Sequence, residues 1–240
     1  MKLIMNFFGT GSAFNTKLGA NSAYIELEND FIFIDAGEGI LEYVRAMTER
    51  MANKRIHVLI THMHPDHVAS LGNIIFWCHF KLSNTPTIYF ANDKIVQMLT
   101  LQGVNHEYYD YFEMDKAVQI GQSTLQYFEV KHYELLDSYG ILFSTENEQI
   151  YYSGDANMVP GSIYEMFMNN EINEWYQDTS SYDYDSNPHI SINQLIELVP
   201  VEKRKNVFCM HLDEWFNEDM ALQLGFNVVK RMINNKKECF

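Results

Sequence analysis

The sequence predicts a single α/β domain spanning residues 1–240, and three observations predict it. Apolar runs of strand length alternate with stretches of helical length along the whole chain. A length of 240 residues with 47% apolar side chains is enough for one well-buried core and excludes a disordered chain. Histidine and aspartate recur just after strand-like runs, so one end of the strands gathers the side chains that carry chemistry. No linker, fixed-period repeat or low-complexity segment divides the chain.

Leu3–Phe8 is expected as a first buried strand, stopped by the tight turn Gly9-Thr-Gly-Ser12. Ser22–Leu27 alternates as a half-buried strand, and Phe31–Ile34 is a short buried one. Gly37 and Gly39 bracket a turn into a helix over Leu41–Met51. The strand His57–Thr61 delivers the chain into His62, and a helix is expected from Asp66 to Phe80. Thr87–Phe90 reads as a strand and Asp93–Leu101 as a helix. Thr124–Val130 is a strand ending beside His132, followed by a hairpin of Tyr139–Thr145 and Gln149–Ser153 that stops at Gly154-Asp155. Helices are expected over Ser162–Asn169 and Ile192–Leu198, a last inner strand over Val207–Met210, and a closing helix over Met220–Ile233. Gly103–Lys116 and Asp178–His189 lack a clear period, and loops of that length inside a domain often carry function.

The formal net charge of −15 argues against a long polyanionic substrate, whose binding rests on Lys and Arg. No apolar run approaches the roughly 20 residues that span a bilayer, so no membrane partner is expected. Cys78, Cys209 and Cys239 are widely spaced and form no C-x-x-C pair. They are expected as core residues of a protein in the reducing cytoplasm, with no thiolate zinc site.

The central motif is His62-Met-His64-Pro-Asp66-His67, directly after a strand. Imidazole and carboxylate are preferred ligands of zinc and related divalent ions. In an extended stretch His62 and His64 point the same way, while Asp66 and His67 sit at the turn into a helix. One metal would not use all four, so two metals side by side are expected. His132, Asp155 and His211, each just after a strand, are the remaining candidate ligands. An isolated strand-end histidine is more often a satisfied polar residue than a ligand. The cluster is different, because its titratable groups would repel or stay unpaired without a metal. His57, His79 and His106 lack such placement and are expected to be structural or surface residues.

His-x-His-x-Asp-His with later His, Asp and His at strand ends resembles the metallo-β-lactamase superfamily over essentially the whole chain. The resemblance implies an αββα sandwich with a dinuclear site along one edge of the two sheets. It implies that His62, His64 and His132 hold one metal, that Asp66, His67 and His211 hold the other, and that Asp155 bridges them. Phe8-Gly-Thr-Gly-Ser12, Asp35-Ala-Gly-Glu-Gly39, Ser138-Tyr-Gly140 and His189-Ile-Ser191 are similar to the ribonuclease Z branch of phosphodiesterases. In that branch the residue matching His189 is a general acid oriented by an acid matching Asp178. These two join Asp66 as the catalytic residues that the resemblance implies. Ribonuclease Z also carries a tRNA-gripping arm between the ligands matching His132 and Asp155, and here only 23 positions separate the two.

Among arm-less members, the chain looks most like the anti-Pycsar cyclic-nucleotide phosphodiesterases of phages. That likeness implies cyclic mononucleotides such as cCMP, cUMP, cAMP and cGMP as substrates and the host cytoplasm as the place of action. Similarity to the ribonuclease Z branch implies a homodimer, and the ligand set calls for two divalent ions, zinc or manganese. A phosphoribosyl-type cyclic phosphodiesterase, a ribonuclease on short RNA and a non-catalytic nucleotide sponge are the alternatives. A two-metal site has no means of holding a base, and an aromatic platform must supply it. Tyr108, Tyr109, Tyr111 and Phe112 are the expected platform, from the same chain or a partner, although a core-packing cluster is an equal reading.

Overall fold

The computed structural model describes residues 2–232. Strands β1 (Asn6–Gly9), β2 (Ser22–Glu26) and β3 (Asp30–Ile34) are antiparallel, and β4 (Arg55–Leu59), β5 (Thr87–Phe90) and β6 (Asp110–Glu113) continue the first sheet in parallel. The second sheet begins with the antiparallel β7 (Val118–Ile120), β8 (Ser123–Glu129), β9 (Tyr139–Ser144) and β10 (Gln149–Tyr152). It continues in parallel through β11 (Glu174–Ser180), β13 (Val207–Met210) and β14 (Asn227–Val228), while the short β12 (Ile190–Ser191) pairs the far end of β11.

The period of two in the strands explains the layering. Phe31 and Phe33 of β3 join Val58 and Ile88 in a core shared with the helices α1 (Leu41–Ala46), α4 (Leu71–Leu82) and α5 (Lys94–Leu101). Ile32 and Ile34 point the other way and meet Phe143, Tyr152, Tyr176 and Met210 of the second sheet. Tyr151 and Trp175 point away from that middle core onto α6 (Gly161–Met168), α7 (Ile192–Leu198) and α8 (Glu218–Gln223). Three cores separate four layers, which is the expected αββα sandwich.

Four expectations change. Leu41–Met51 breaks at Met47 into α1 and the one-turn α2 (Thr48–Met51). Asp66–Phe80 breaks into α3 (Pro65–Val68) and α4, because Ala36 binds across the break: its N–H donates to His67 O and its carbonyl accepts from Ser70 N–H. The closing helix ends at Gln223. Gly225 takes a left-handed φ of 93° and turns the chain into β14, and Ile233 lies outside the described residues. Finally, β6, β7 and β11 occupy segments where no strand was expected. Cys78 and Cys209 are buried free thiols, as expected, and Cys239 lies outside the described residues.

Candidate metal centre

Strands β3, β4, β8, β10, β11 and β13 deliver their following residues to one edge of the sandwich. The nitrogens His62 Nε2 and His132 Nε2 each lie 3.1 Å from His64 Nδ1. Asp155 Oδ2 stands 3.7 Å from His62 Nε2 and 3.8 Å from His132 Nε2. On the other side of Asp155, His67 Nε2 is 3.4 Å from both Asp155 Oδ1 and Asp66 Oδ2. His211 Nε2 is 3.2 Å from Asp155 Oδ2 and 3.4 Å from Asp66 Oδ2. Zinc ligands about 2.0–2.1 Å from a tetrahedral centre stand about 3.3–3.4 Å apart. The two groups, His62–His64–His132–Asp155 and Asp66–His67–Asp155–His211, fit that spacing and share Asp155.

The donor set also asks for positive charge. Asp35, Asp66, Asp155 and Asp178 converge with little access to water, and clustered buried carboxylates are costly without compensating cations. Burial alone would raise Asp155, but His211, His67 and His62 hold it well below the usual carboxylate range. Burial alone would lower His67 and His211. Asp155 outweighs it, with Asp35 at His67 and Asp178 at His211, and His211 is pushed up to about 10. Burial pushes His62 well below its ordinary value, toward the neutral imidazole that ligates. His67 Nε2 and Asp155 Oδ1 are buried without a hydrogen-bond partner, as ligand atoms kept for a cation would be.

Outer contacts fix the rings. Asp35, held at a left-handed φ of 62°, accepts from Thr61 N–H at 2.8 Å and from His67 Nδ1–H at 2.8 Å. Thr61 Oγ1 donates to the same carboxylate at 2.9 Å and accepts from His62 Nδ1–H at 3.1 Å. One carboxylate thus orients a histidine of each group, directly and through Thr61. His132 Nδ1–H donates to Pro188 O at 3.1 Å, which leaves Nε2 for the cluster. Asp178 accepts from His211 Nδ1–H on Oδ1 at 3.2 Å and from His189 Nδ1–H on Oδ2 at 2.6 Å. Burial would lower His189, but the Asp178 carboxylate raises it and favours the imidazolium.

Of these side chains, His64, Asp66, His132, Asp155, His189 and His211 line a cleft of 570 Å³. Every sequence-predicted ligand is in the cluster, and His189 with Asp178 adjoins it. Tyr108, Tyr109, Tyr111 and Phe112 are elsewhere, which corrects the expectation of a platform formed within one chain. Tyr108 stacks on His79 with ring centroids 3.8 Å apart, Tyr109 is buried, and Tyr111 and Phe112 belong to the edge strand β6. None of the four lines the cleft. His57 pairs with Asp30 and Tyr89 in a separate structural network. Sequence reasoning gave no role to Asp35 or Thr61, although Asp35 opens a noted motif. Phe14, Tyr182 and Tyr184 on the cleft wall also carry no signal in the sequence beyond the lack of a period in Asp178–His189, which holds the two tyrosines.

The sandwich and its shared His/Asp cluster define a metal-dependent hydrolase of the metallo-β-lactamase fold. The solved metallo-β-lactamase-fold protein YhfI of Bacillus subtilis superposes with a TM-score of 0.77 at 16% identity, over 95% of this chain and 96% of that one. Within this fold the chain belongs to the anti-Pycsar protein Apyc1 family, which it matches over residues 1–233. It is 25% identical to the anti-Pycsar protein Apyc1 of Paenibacillus harenae, covering 88% of this chain and 90% of that one. Identity to the anti-Pycsar protein Apyc1 of Bacillus phage 010DV004 is 23%, covering 86% and 88%.

Proposed function

We propose that the chain is a dinuclear phosphodiesterase that opens cyclic mononucleotides such as cCMP, cUMP, cAMP and cGMP to linear 5′-monophosphates. The observation that carries the reading is the pair of four-ligand groups sharing Asp155, with the His189–Asp178 pair beside them. His62, His64 and His132 would hold one divalent ion, zinc or manganese, and Asp66, His67 and His211 the other, with Asp155 between. When bound, such ions supply Lewis acidity toward the phosphoryl oxygens and activate water.

The chain's own residues do the rest. Water attacks phosphorus and releases a proton to solvent as the new P–O bond forms, and the bond to the ribose 3′ oxygen breaks. His189 Nδ1–H is tied to Asp178, so Nε2 faces the cleft and donates its proton to the departing oxygen. Asp178 favours the protonated form that this step needs. Asp66 orders the second ligand group through its contacts with His67 and His211. In this reading the protein works as a homodimer in the host cytoplasm, and its place in the anti-Pycsar family supports a role against infection signalling.

The test is a substrate panel of the four cyclic mononucleotides, a cyclic dinucleotide and a tRNA precursor, each with and without chelator. Turnover of cyclic mononucleotides, abolished by chelator and restored by zinc or manganese, is the expected result. Preferential cleavage of the tRNA precursor, or binding of cyclic nucleotide without any turnover in metal-supplemented protein, contradicts the reading.

A further inference from the structure

The cleft that would receive a phosphate ester is lined with carboxylates. Besides the candidate ligands Asp66 and Asp155, it is lined by Glu38, Asp213 and Glu214, and among the described residues no Lys or Arg lines it. Lys and Arg are the side chains that ordinarily pair with phosphate. Here a phosphate depends on the metal centre alone, and that centre has little positive charge to spare. Asp35, Asp66, Asp155 and Asp178 converge there, and their four negative charges are as many as two divalent ions balance.

The three further carboxylates are not equivalent. Asp213 is spent on the groups around it: it accepts from Ser181 N–H and Oγ, each at 2.6 Å, and from Trp215 N–H at 2.9 Å. Those bonds fix the turn that carries the exposed Glu214, just past His211. Glu38 is exposed as well, on the turn that follows Asp35. Gly37 N–H donates to Ser22 Oγ at 3.0 Å, and a Cβ on Gly37 would stand 2.1 Å from Asp66 O, so this turn lies directly on the ligand loop. Both glutamates thus stand on pinned backbone, Glu38 beside the Asp66 segment and Glu214 beside the His211 segment.

We propose that Glu38 and Glu214 are specificity-determining residues, which confine the cleft to a phosphate of single charge and hasten the loss of a more highly charged product. This deepens the phosphodiesterase reading and rests on it. A cyclic phosphodiester carries one negative charge. The linear monophosphate carries nearly two at neutral pH, since its second proton leaves near a pKa of about 6. Coulomb repulsion scales with the charge of the ligand, so the glutamates disfavour the product more than the substrate. A nucleotide with a second phosphate group finds no cationic side chain on the wall and is disfavoured most.

The test uses metal-loaded protein and three ligands of rising charge: cAMP as substrate, with 5′-AMP and adenosine 3′,5′-bisphosphate as inhibitors. Joint replacement by Glu38→Lys and Glu214→Lys should tighten the bisphosphate by about tenfold or more at low salt. It should tighten 5′-AMP by less and lower the KM for cAMP least. Glu38→Gln with Glu214→Gln should give the same order at smaller size. The differences should shrink at 1 M salt, where charges are screened beyond about 3 Å. Glu49→Lys, an exposed change in α2 away from the cleft wall, alters the net charge equally and should reproduce none of this. Equal tightening of all three ligands, the same pattern in Glu49→Lys, or no tightening overturns the proposal. If the wild type opens no cyclic mononucleotide, the phosphodiesterase reading fails and this inference falls with it. An active wild type whose glutamate variants keep its inhibition constants removes the inference alone.

Discussion

Asp178 touches two histidines with different tasks. Its Oδ1 fixes His211, a candidate ligand, and its Oδ2 fixes His189, the candidate acid. The two substitutions should therefore behave differently. His189→Ala removes one proton donor and should lower cyclic-nucleotide turnover by about 10²–10⁴ while metal content stays at the wild-type level. Asp178→Ala should lower turnover and also weaken metal retention in a chelator competition, by about 10–100-fold, the usual loss when a ligand's outer partner goes. Metal loss in His189→Ala, with full activity per bound metal, would remove it from catalysis. The ligands were legible in the sequence because six residues of one strand-to-helix turn carry four of them. The Asp35–Thr61–His62 relay was not, since Asp35 follows β3 while Thr61 and His62 follow β4, and only folding brings the carboxylate within 2.9 Å of Thr61 Oγ1.

The strands explain how such a polar cluster is tolerated. β11 is buried along nearly its whole length although it ends Gln177-Asp-Thr-Ser180. Those polar groups are bonded locally: Gln177 accepts from Trp175 Nε1–H at 2.9 Å and donates to Asp178 O at 3.0 Å, and Thr179 donates to Gln177 O at 2.9 Å. A buried strand with self-satisfied polar residues shows neither alternation nor an apolar run, so its period is invisible in the sequence. β6 escapes notice for the opposite reason. It is an edge strand whose Asp110 and Glu113 face water, a composition that protects an open edge. The hairpin of β9 and β10 is a pair of apolar runs around the turn Glu146-Asn-Glu148 and is readable, as is the glycine that ends it. Gly154 has a φ of 59°, and a Cβ there would stand 2.5 Å from Tyr139 O. Gly154→Ala should therefore destabilise the metal-free protein by about 1–3 kcal/mol in urea unfolding and displace Asp155 from both ligand groups. Wild-type stability together with wild-type metal affinity would show that this turn has room to adapt.

At the scale of the whole molecule, the charge and the cleft point to a small substrate. A formal charge of −15 disfavours a long polyanion, and a cleft of 570 Å³ is of the size that takes one small ligand. Among the described residues no helix is long and apolar enough to cross a membrane. The layered fold was legible because helical and strand periods alternate along the chain, whereas the aromatic wall of the cleft was not, because Phe14 and the Tyr182–Tyr184 loop meet only through the segment after His211. The central claim is that water attacks phosphorus in a cyclic mononucleotide and that the ribose 3′ oxygen leaves. Single-turnover hydrolysis of cAMP in ¹⁸O-labelled water, with the product analysed by chromatography and mass spectrometry, tests it directly. The account predicts 5′-AMP carrying one ¹⁸O in its phosphate. A 3′-monophosphate, a label on the ribose, or an unchanged substrate after metal loading would contradict it.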